Sequence, residues 1–142
     1  MRVRLTLRAD ATAMPSVERF VAAFAAEHLL DRDDQARTLF LLEELITNWL
    51  KYGYPERSEP GLAEVALALE GSRLTIKFED DGAAFDPLAE PPPDLSQPLE
   101  TRPIGGLGLY LLRGLADEMS YKRSNDRNVI QLVRRVSLRE RQ

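Results

Sequence analysis

Between residues 86 and 103 the chain carries Pro87, Pro91, Pro92, Pro93, Pro98 and Pro103, with Asp, Glu and Ser among them. Proline fixes φ and lacks an N–H, so this stretch is neither a helix nor a central strand. It runs into Gly105-Gly106-Leu107-Gly108. A structureless loop of this length inside a small domain is either a functional lid or disordered. The core has to come from the segments on either side of it.

Those segments are regular. In residues 2–8, Val3, Leu5 and Leu7 alternate with Arg2, Arg4, Thr6 and Arg8, which is the period of a strand. Asp10 or Thr12 is placed to cap a helix over about 15–30, with Pro15 in its first turn and Val17, Phe20, Val21 and Phe24 facing a core. Asp31 to Asp34 breaks it and offers a new N-cap for a longer helix over about 33–52. Gly53 is expected to end that helix as a left-handed cap before Pro55. Strands over about 62–70 and 73–80 join at Gly71-Ser72. The glycine motif opens a third helix to about Asp117. Strands over about 118–124 and 128–136 then turn at Asn125-Asp126. The expected fold is a two-layer α/β (α+β) sandwich: a mixed, largely antiparallel sheet, helices on one face and solvent on the other. Residues 1–138 form one domain, with a lid at about 88–103 and a frayed tail at 139–142.

Composition narrows the chemistry. The chain has 142 residues, 44% hydrophobic and 30% charged, no cysteine, and His28 as its one histidine. This excludes disulfides, thiolate metal sites and a cysteine nucleophile, and fits a cytoplasmic protein. A net charge of −4 argues against nucleic-acid binding by charge alone. No apolar run approaches the ~20 residues of a membrane span, and the amino terminus lacks the apolar core of a secretory signal.

Three constellations carry chemistry. On the second helix, Leu39, Leu42, Leu45, Ile46, Trp49 and Leu50 share an inward arc, while Glu44, Asn48 and Lys51 fall within roughly 60° of one another on a different one. A carboxylate can take a proton from a hydroxyl, an amide oxygen is a hard ligand for Mg²⁺, and an ammonium suits a phosphate. Glu43 lies about 100° from Glu44, outside that group. A solvated helix face is the competing reading. Next, Asp80 is in phase with Leu74, Ile76 and Phe78, so its carboxylate turns inward and needs a partner; an exocyclic ring amine such as that of adenine suits it, with Gly82 letting a flat ring approach. Glu79 and Asp81 read as ordinary acidic residues of a strand end. Third, Arg102-Pro103-Ile104-Gly105-Gly106-Leu107-Gly108 precedes a helix, where bare N–H groups suit phosphates. It is neither a dinucleotide-binding fingerprint nor a P-loop.

Taken in order, Glu44-Leu-Ile-Thr-Asn48-Trp-Leu-Lys51-Tyr52-Gly53-Tyr54-Pro55, Asp80-Asp81-Gly82-x-x-Phe85-Asp86-Pro87 and Gly105-Gly106-Leu107-Gly108-Leu109 look like the N, G1 and G2 boxes of a known family. From about Val3 to Arg135 the chain resembles the stand-alone GHKL (Bergerat-fold) ATP-binding proteins of the anti-sigma regulatory factor and serine-protein kinase type. The resemblance implies ATP and Mg²⁺ as cofactors. It implies Glu44 as general base, with Arg102 near the γ-phosphate. It implies a nucleotide-binding set of Asn48, Lys51, Tyr52, Asp80, Gly82, Gly105, Gly106, Leu107 and Gly108, with Asn48 also at the metal. Its partners are an anti-sigma-factor antagonist of the STAS type, a sigma factor, or both, with a homodimer as one state of assembly. Nucleotide-gated sequestration without turnover is the alternative, and a detached histidine-kinase catalytic domain is a third reading, which Asn48-x-x-Lys51-Tyr52 also fits. The chain departs from the pattern at Trp49, where family members often have a small residue. It departs again at Asn125-Asp126-Arg127-Asn128, where many have Gly-x-Thr. Asn128 is in phase with Ile130 and Leu132 and stands in for the threonine at the adenine.

Overall fold

A computed structural model describes residues 2–55, 61–89 and 113–140. Strand β1 (Arg2–Arg8) is followed by helices α1 (Ala13–His28) and α2 (Arg32–Tyr52), the hairpin β2 (Leu62–Glu70) and β3 (Arg73–Asp80), and the hairpin β4 (Glu118–Ser124) and β5 (Arg127–Arg135). The five strands form one sheet in the order β1-β2-β3-β5-β4. Every described pairing is antiparallel, so the mixed component expected of the sheet is absent among the described strands. The cause is local: two tight hairpins supply two of the pairings, and the second inserts β5, not β4, beside β3. Gly71 at φ +59° makes the first turn; Asn125 and Asp126, both with positive φ, make the second in the mirror-image form that suits a right-twisted ribbon.

Alternation along the strands sorts the two faces. Val65 and Leu67 of β2, Leu74, Ile76 and Phe78 of β3, and Ile130 and Leu132 of β5 are buried beneath the helices. From α1 come Val17, Val21 and Phe24, and from α2 Leu41, Leu42, Leu45, Ile46 and Trp49. The far face carries exposed ion pairs, Arg4 with Glu64, Arg127 with Glu79 and Arg73 with Glu118. Such pairs add little stability each.

Four expectations change. Leu50 is 40% exposed and does not join the core. It lies about 100° round the helix from Trp49, and the buried seam instead runs through Thr38, Leu41, Leu42, Leu45, Ile46 and Trp49. Gly53 is right-handed (φ −71°, ψ −30°), not a left-handed cap. Its bareness serves packing: a Cβ on Gly53 would come within 2.5 Å of the Trp49 carbonyl oxygen. The tail is held one residue further than expected, since Leu138 bridges Leu30 and the Arg139 N–H donates to the Leu29 carbonyl at 2.7 Å. Finally, α1 is capped indirectly: the Asp10 carboxylate accepts the Thr12 N–H, and Thr12 makes no side-chain cap bond of its own. As expected, the Asp31 carboxylate caps α2 by accepting the Asp33 N–H at 3.2 Å.

The carboxylate of Asp34, in the first turn of α2, is buried against Arg134 of β5 at 2.8 Å. It also accepts the Ser137 N–H at 2.8 Å, while Arg134 donates to the Leu115 carbonyl. This network ties α2 to the last strand and to residues 113–115, the described helical part of the expected third helix.

Candidate functional site

The end of α2, the end of β3 and the start of β5 line a cleft. Leu45, Trp49, Phe78, Phe85, Pro87 and Ile130 make its apolar wall; Asn48, Asp80 and Asn128 are the polar groups on it. An apolar concavity with a few converging polar groups is the usual form of a small-molecule site.

Asp80 is the last residue of β3 and 5% exposed. Its inward phase is as expected. Its Oδ1 accepts the Gly82 N–H at 2.8 Å and the Asn128 amide at 3.0 Å. Its Oδ2 accepts nothing from the described residues. Burial pushes the carboxyl above its ordinary value, against the two hydrogen bonds that hold it down. Asp80 therefore brings to the cleft wall one oxygen that no described residue uses, on a group whose charge is costly to leave unpaired.

Asn128 sits opposite Asp80 in the β3–β5 register. Its amide donates to Asp80 and to the Ala83 carbonyl at 2.8 Å. Its oxygen accepts from the Phe85 N–H at 3.2 Å and the Tyr121 hydroxyl at 2.6 Å. Two protons and two lone pairs are thereby committed. Asn128 is inward as expected, but it has no bond left for a ring; it holds Asp80 and the loop at 83–85 in place. Gly82, likewise, does not line the cleft. Its N–H holds Asp80, its carbonyl accepts Arg123 at 2.7 Å, and its missing side chain makes room for Gly53.

On α2, Asn48 reaches the cleft wall. Its amide nitrogen donates to the Glu44 carbonyl at 2.9 Å, and its Oδ1 accepts nothing from the described residues. Glu44, Lys51 and Tyr52 share the helix but not the wall. Glu44 is half-buried, and burial, then the neighbouring Glu43, raises its carboxyl. Lys51 lies 5.1 Å over the Tyr52 ring, and Tyr52 stacks on Phe85 at 5.1 Å and 17°. This aromatic pair fixes the rim. Arg102, Gly105, Gly106, Leu107 and Gly108 lie outside the described residues, as does the expected lid apart from Leu88 and Ala89. Arg113, just beyond, donates to the Leu88 carbonyl at 2.6 Å and the Pro87 carbonyl at 3.3 Å, holding the outer wall.

Two contributions escape sequence reasoning. Asp81 is not a free turn residue: its carboxylate accepts the Tyr54 hydroxyl and the Leu62 N–H. Tyr54 in turn accepts the Trp49 indole N–H at 2.8 Å. Burial and the Asp81 carboxylate hold the Tyr54 phenol well above its ordinary value. Phe85 is the second; its place in the Asp80 to Pro87 motif does not reveal that it stacks on Tyr52.

Residues 7–134 match the model of the histidine kinase-like ATPase domain. A serine-protein kinase RsbW of Staphylococcus epidermidis is 31% identical over 97 residues, 65% of this chain and 61% of the relative, so the match spans about three fifths of that protein's length. RsbW of Bacillus thuringiensis is 28% identical over 122 residues, 83% of this chain and 75% of the relative. Among solved structures, the RsbU and RsbW domains of a Mycobacterium tuberculosis protein align with 97% of this chain and 32% of theirs at a TM-score of 0.68 and 19% identity. A blue-light activated histidine kinase of Erythrobacter litoralis aligns with 88% of this chain and 60% of its own at 0.56 and 14%. Both share the fold. The chain belongs to the histidine kinase-like ATPase domain family.

Proposed function

We propose that this chain is an ATP-dependent serine-protein kinase of the anti-sigma regulatory type, transferring the γ-phosphate of ATP to a serine of an anti-sigma-factor antagonist of the STAS class. The observation that carries the reading is Asp80: a buried carboxylate on the wall of an apolar cleft, with one oxygen locked by Gly82 and Asn128 and the other unused by any described residue. Adenine offers that oxygen an amine donor and the apolar walls a flat face. The relatives named as serine-protein kinases support the reaction class.

The reaction needs little covalent work from the protein. The serine oxygen bonds to the γ-phosphorus, the bond from that phosphorus to the β-bridging oxygen breaks, ADP leaves, and Glu44 takes the hydroxyl proton. A raised carboxyl suits that task, because a more basic carboxylate accepts the proton more readily. Asn48 fits Mg²⁺: it is a hard amide oxygen on the cleft wall without a partner among the described residues. The described residues hold no cluster of three His, Cys, Asp or Glu. Asn48 would therefore hold a metal that keeps phosphates and water as its other ligands. Bound there, Mg²⁺ supplies charge neutralisation at the phosphates. Lys51 and Arg102 are the cations we assign to the phosphate end. A sigma factor is the second partner of this reading, and a second copy of the chain is its state of assembly. No described helix is long and apolar enough to cross a membrane, in keeping with a cytoplasmic role.

The test is incubation with γ-labelled ATP, Mg²⁺ and a candidate STAS protein from the same genome. Label on a serine of the partner is the expected result. ATP binding without transfer to any candidate would replace the kinase with a nucleotide-gated binding module, and label on histidine would place the chain with histidine-kinase catalytic domains.

A further inference from the structure

The inner wall of the cleft is an indole that the surrounding structure does not let move. Trp49 is buried at 4% exposure and lines the cleft beside Gly53 and Phe78. It meets Phe78 edge to face at 5.7 Å and 71°, and Tyr54 at 6.2 Å and 72°. Its N–H donates to the Tyr54 hydroxyl, which donates to Asp81, which also takes the Leu62 N–H. Tyr54 itself rests on Gly61, where a Cβ would come within 1.9 Å of the ring. Swinging the indole aside would orphan a buried N–H and break this chain of bonds, each costly in a dry interior.

Phe78 is two residues before Asp80 on the same face of β3, about 7 Å along the strand. Asp80, Trp49 and Phe78 thus line the same cleft, with Phe78 and Asp80 on one strand face. Any further group on a ring amine bonded to Asp80 has to be accommodated in the cleft that this fixed indole bounds. An unsubstituted amine carries only hydrogen there; an alkyl or aryl group on the same nitrogen meets a wall of fixed shape.

We infer that Trp49 is the specificity-determining residue of this cleft, restricting it to purine nucleotides whose exocyclic amine is unsubstituted. The inference rests on the reading of the cleft as an adenine site and goes beyond it by naming which adenine derivatives are rejected and by what. Trp49 lies on the core arc of α2 in sequence, so filling volume and shaping the cleft are both served by one ring.

The test is calorimetric titration of ATP and of N6-benzyl-ATP into the wild-type protein, Trp49→Ala and Trp49→Leu. Wild type should bind ATP and reject the benzyl analogue. Both variants should gain about 10- to 100-fold in affinity for the analogue relative to ATP, the range in which apolar pockets discriminate by shape. Trp49→Leu keeps an apolar core residue and serves if the alanine variant does not fold. Equal binding of the two nucleotides by wild type, or an unchanged ratio in Trp49→Leu with ATP still bound, overturns the role of Trp49 and leaves the ATP reading intact. Failure of the wild-type protein to bind ATP at all overturns that reading, and the inference with it.

Discussion

Replacing Asp80 by asparagine separates the stability of the cleft from its use. In the folded protein Oδ1 accepts from the Gly82 N–H and from Asn128, while Oδ2 accepts from no described residue and Asp80 lines the cleft. Asparagine keeps the first oxygen and both bonds. It cannot flip, because a nitrogen there would face two donors. Its NH₂ therefore takes the place of Oδ2 and aims protons at any ring amine. A charge-assisted hydrogen bond is worth about 1.5–3 kcal/mol, so nucleotide affinity should fall roughly 10- to 150-fold, with donor facing donor driving it toward the upper end. Stability should move the other way. The folded carboxyl is raised above its unfolded value by burial, so Asp80 costs nothing below the unfolded value and destabilises the fold as pH rises through the folded one. Asp80→Asn removes that cost, so the free variant at pH 7 should melt at or above the wild-type temperature. Calorimetric titration with ATP and thermal unfolding of the free protein read the two effects. Wild-type affinity should also decline as pH falls through the raised Asp80 value, since a protonated Oδ2 no longer accepts, and the variant should lack that dependence. Undiminished ATP affinity in the variant, or a melting temperature several degrees lower, would refute the assignment of Asp80 as a buried charge kept for a ligand.

Glu44→Gln should keep nucleotide binding and lose about 10²- to 10⁴-fold in phosphoryl transfer to a STAS substrate, measured with labelled ATP. The acid limb of the wild-type rate profile should lie above the ordinary glutamate range and vanish in this variant, while Glu43→Gln should only shift it downward, because Glu43 helps raise Glu44. Asn48→Ala should weaken ATP binding in Mg²⁺ and make it indifferent to chelator, as titration with and without the metal will report. Arg134→Met leaves Asp34 as a buried charge, its remaining cation being the half-exposed Arg37 at 3.8 Å, and should cost about 3–5 kcal/mol in urea unfolding. Gly82→Ala forces a methyl within 2.9 Å of the Gly53 Cα and should cost about 1–3 kcal/mol, visible as a lower melting temperature.

The elements were legible because their signals are local. Alternation at Val3, Leu5 and Leu7, and turn residues at Gly71 and at Asn125-Asp126, place every described strand within about one residue of its observed bounds. Strand order is different: β5 lies between β3 and β4, a long-range pairing that no local pattern encodes. The same holds for Asp34 and Arg134, which are 100 residues apart. A signal for that pair did exist, since Arg134 is in phase with Ile130 and Leu132 and a cation turned into a core requires an anion. Helix facing was legible only to the resolution of a wheel, which is why Leu50, at the edge of the apolar arc, was placed inward and emerges exposed.

At the site, the sequence identifies what faces the cleft but not what is left over to act there. The phase of Asp80 and of Asn128 follows from period two, and both point as expected. Whether an inward amide serves a ligand or the fold depends on how many of its bonds the protein has already used. That count involves Ala83, Phe85 and Tyr121, from a loop and a neighbouring strand. Asn128 spends its full capacity on them and on Asp80, whereas Asn48 spends one donor and keeps its oxygen. Two buried asparagines thus differ: Asn128 positions the acceptor, and Asn48 keeps an oxygen that no described residue uses. Asp81 shows the converse. It is out of phase with the core and looks like a solvated turn, yet its carboxylate anchors Tyr54 and, through it, the indole that closes the cleft. Residue type and phase bound the possibilities; the assignment among them is made by hydrogen-bond capacity, which only the tertiary arrangement fixes.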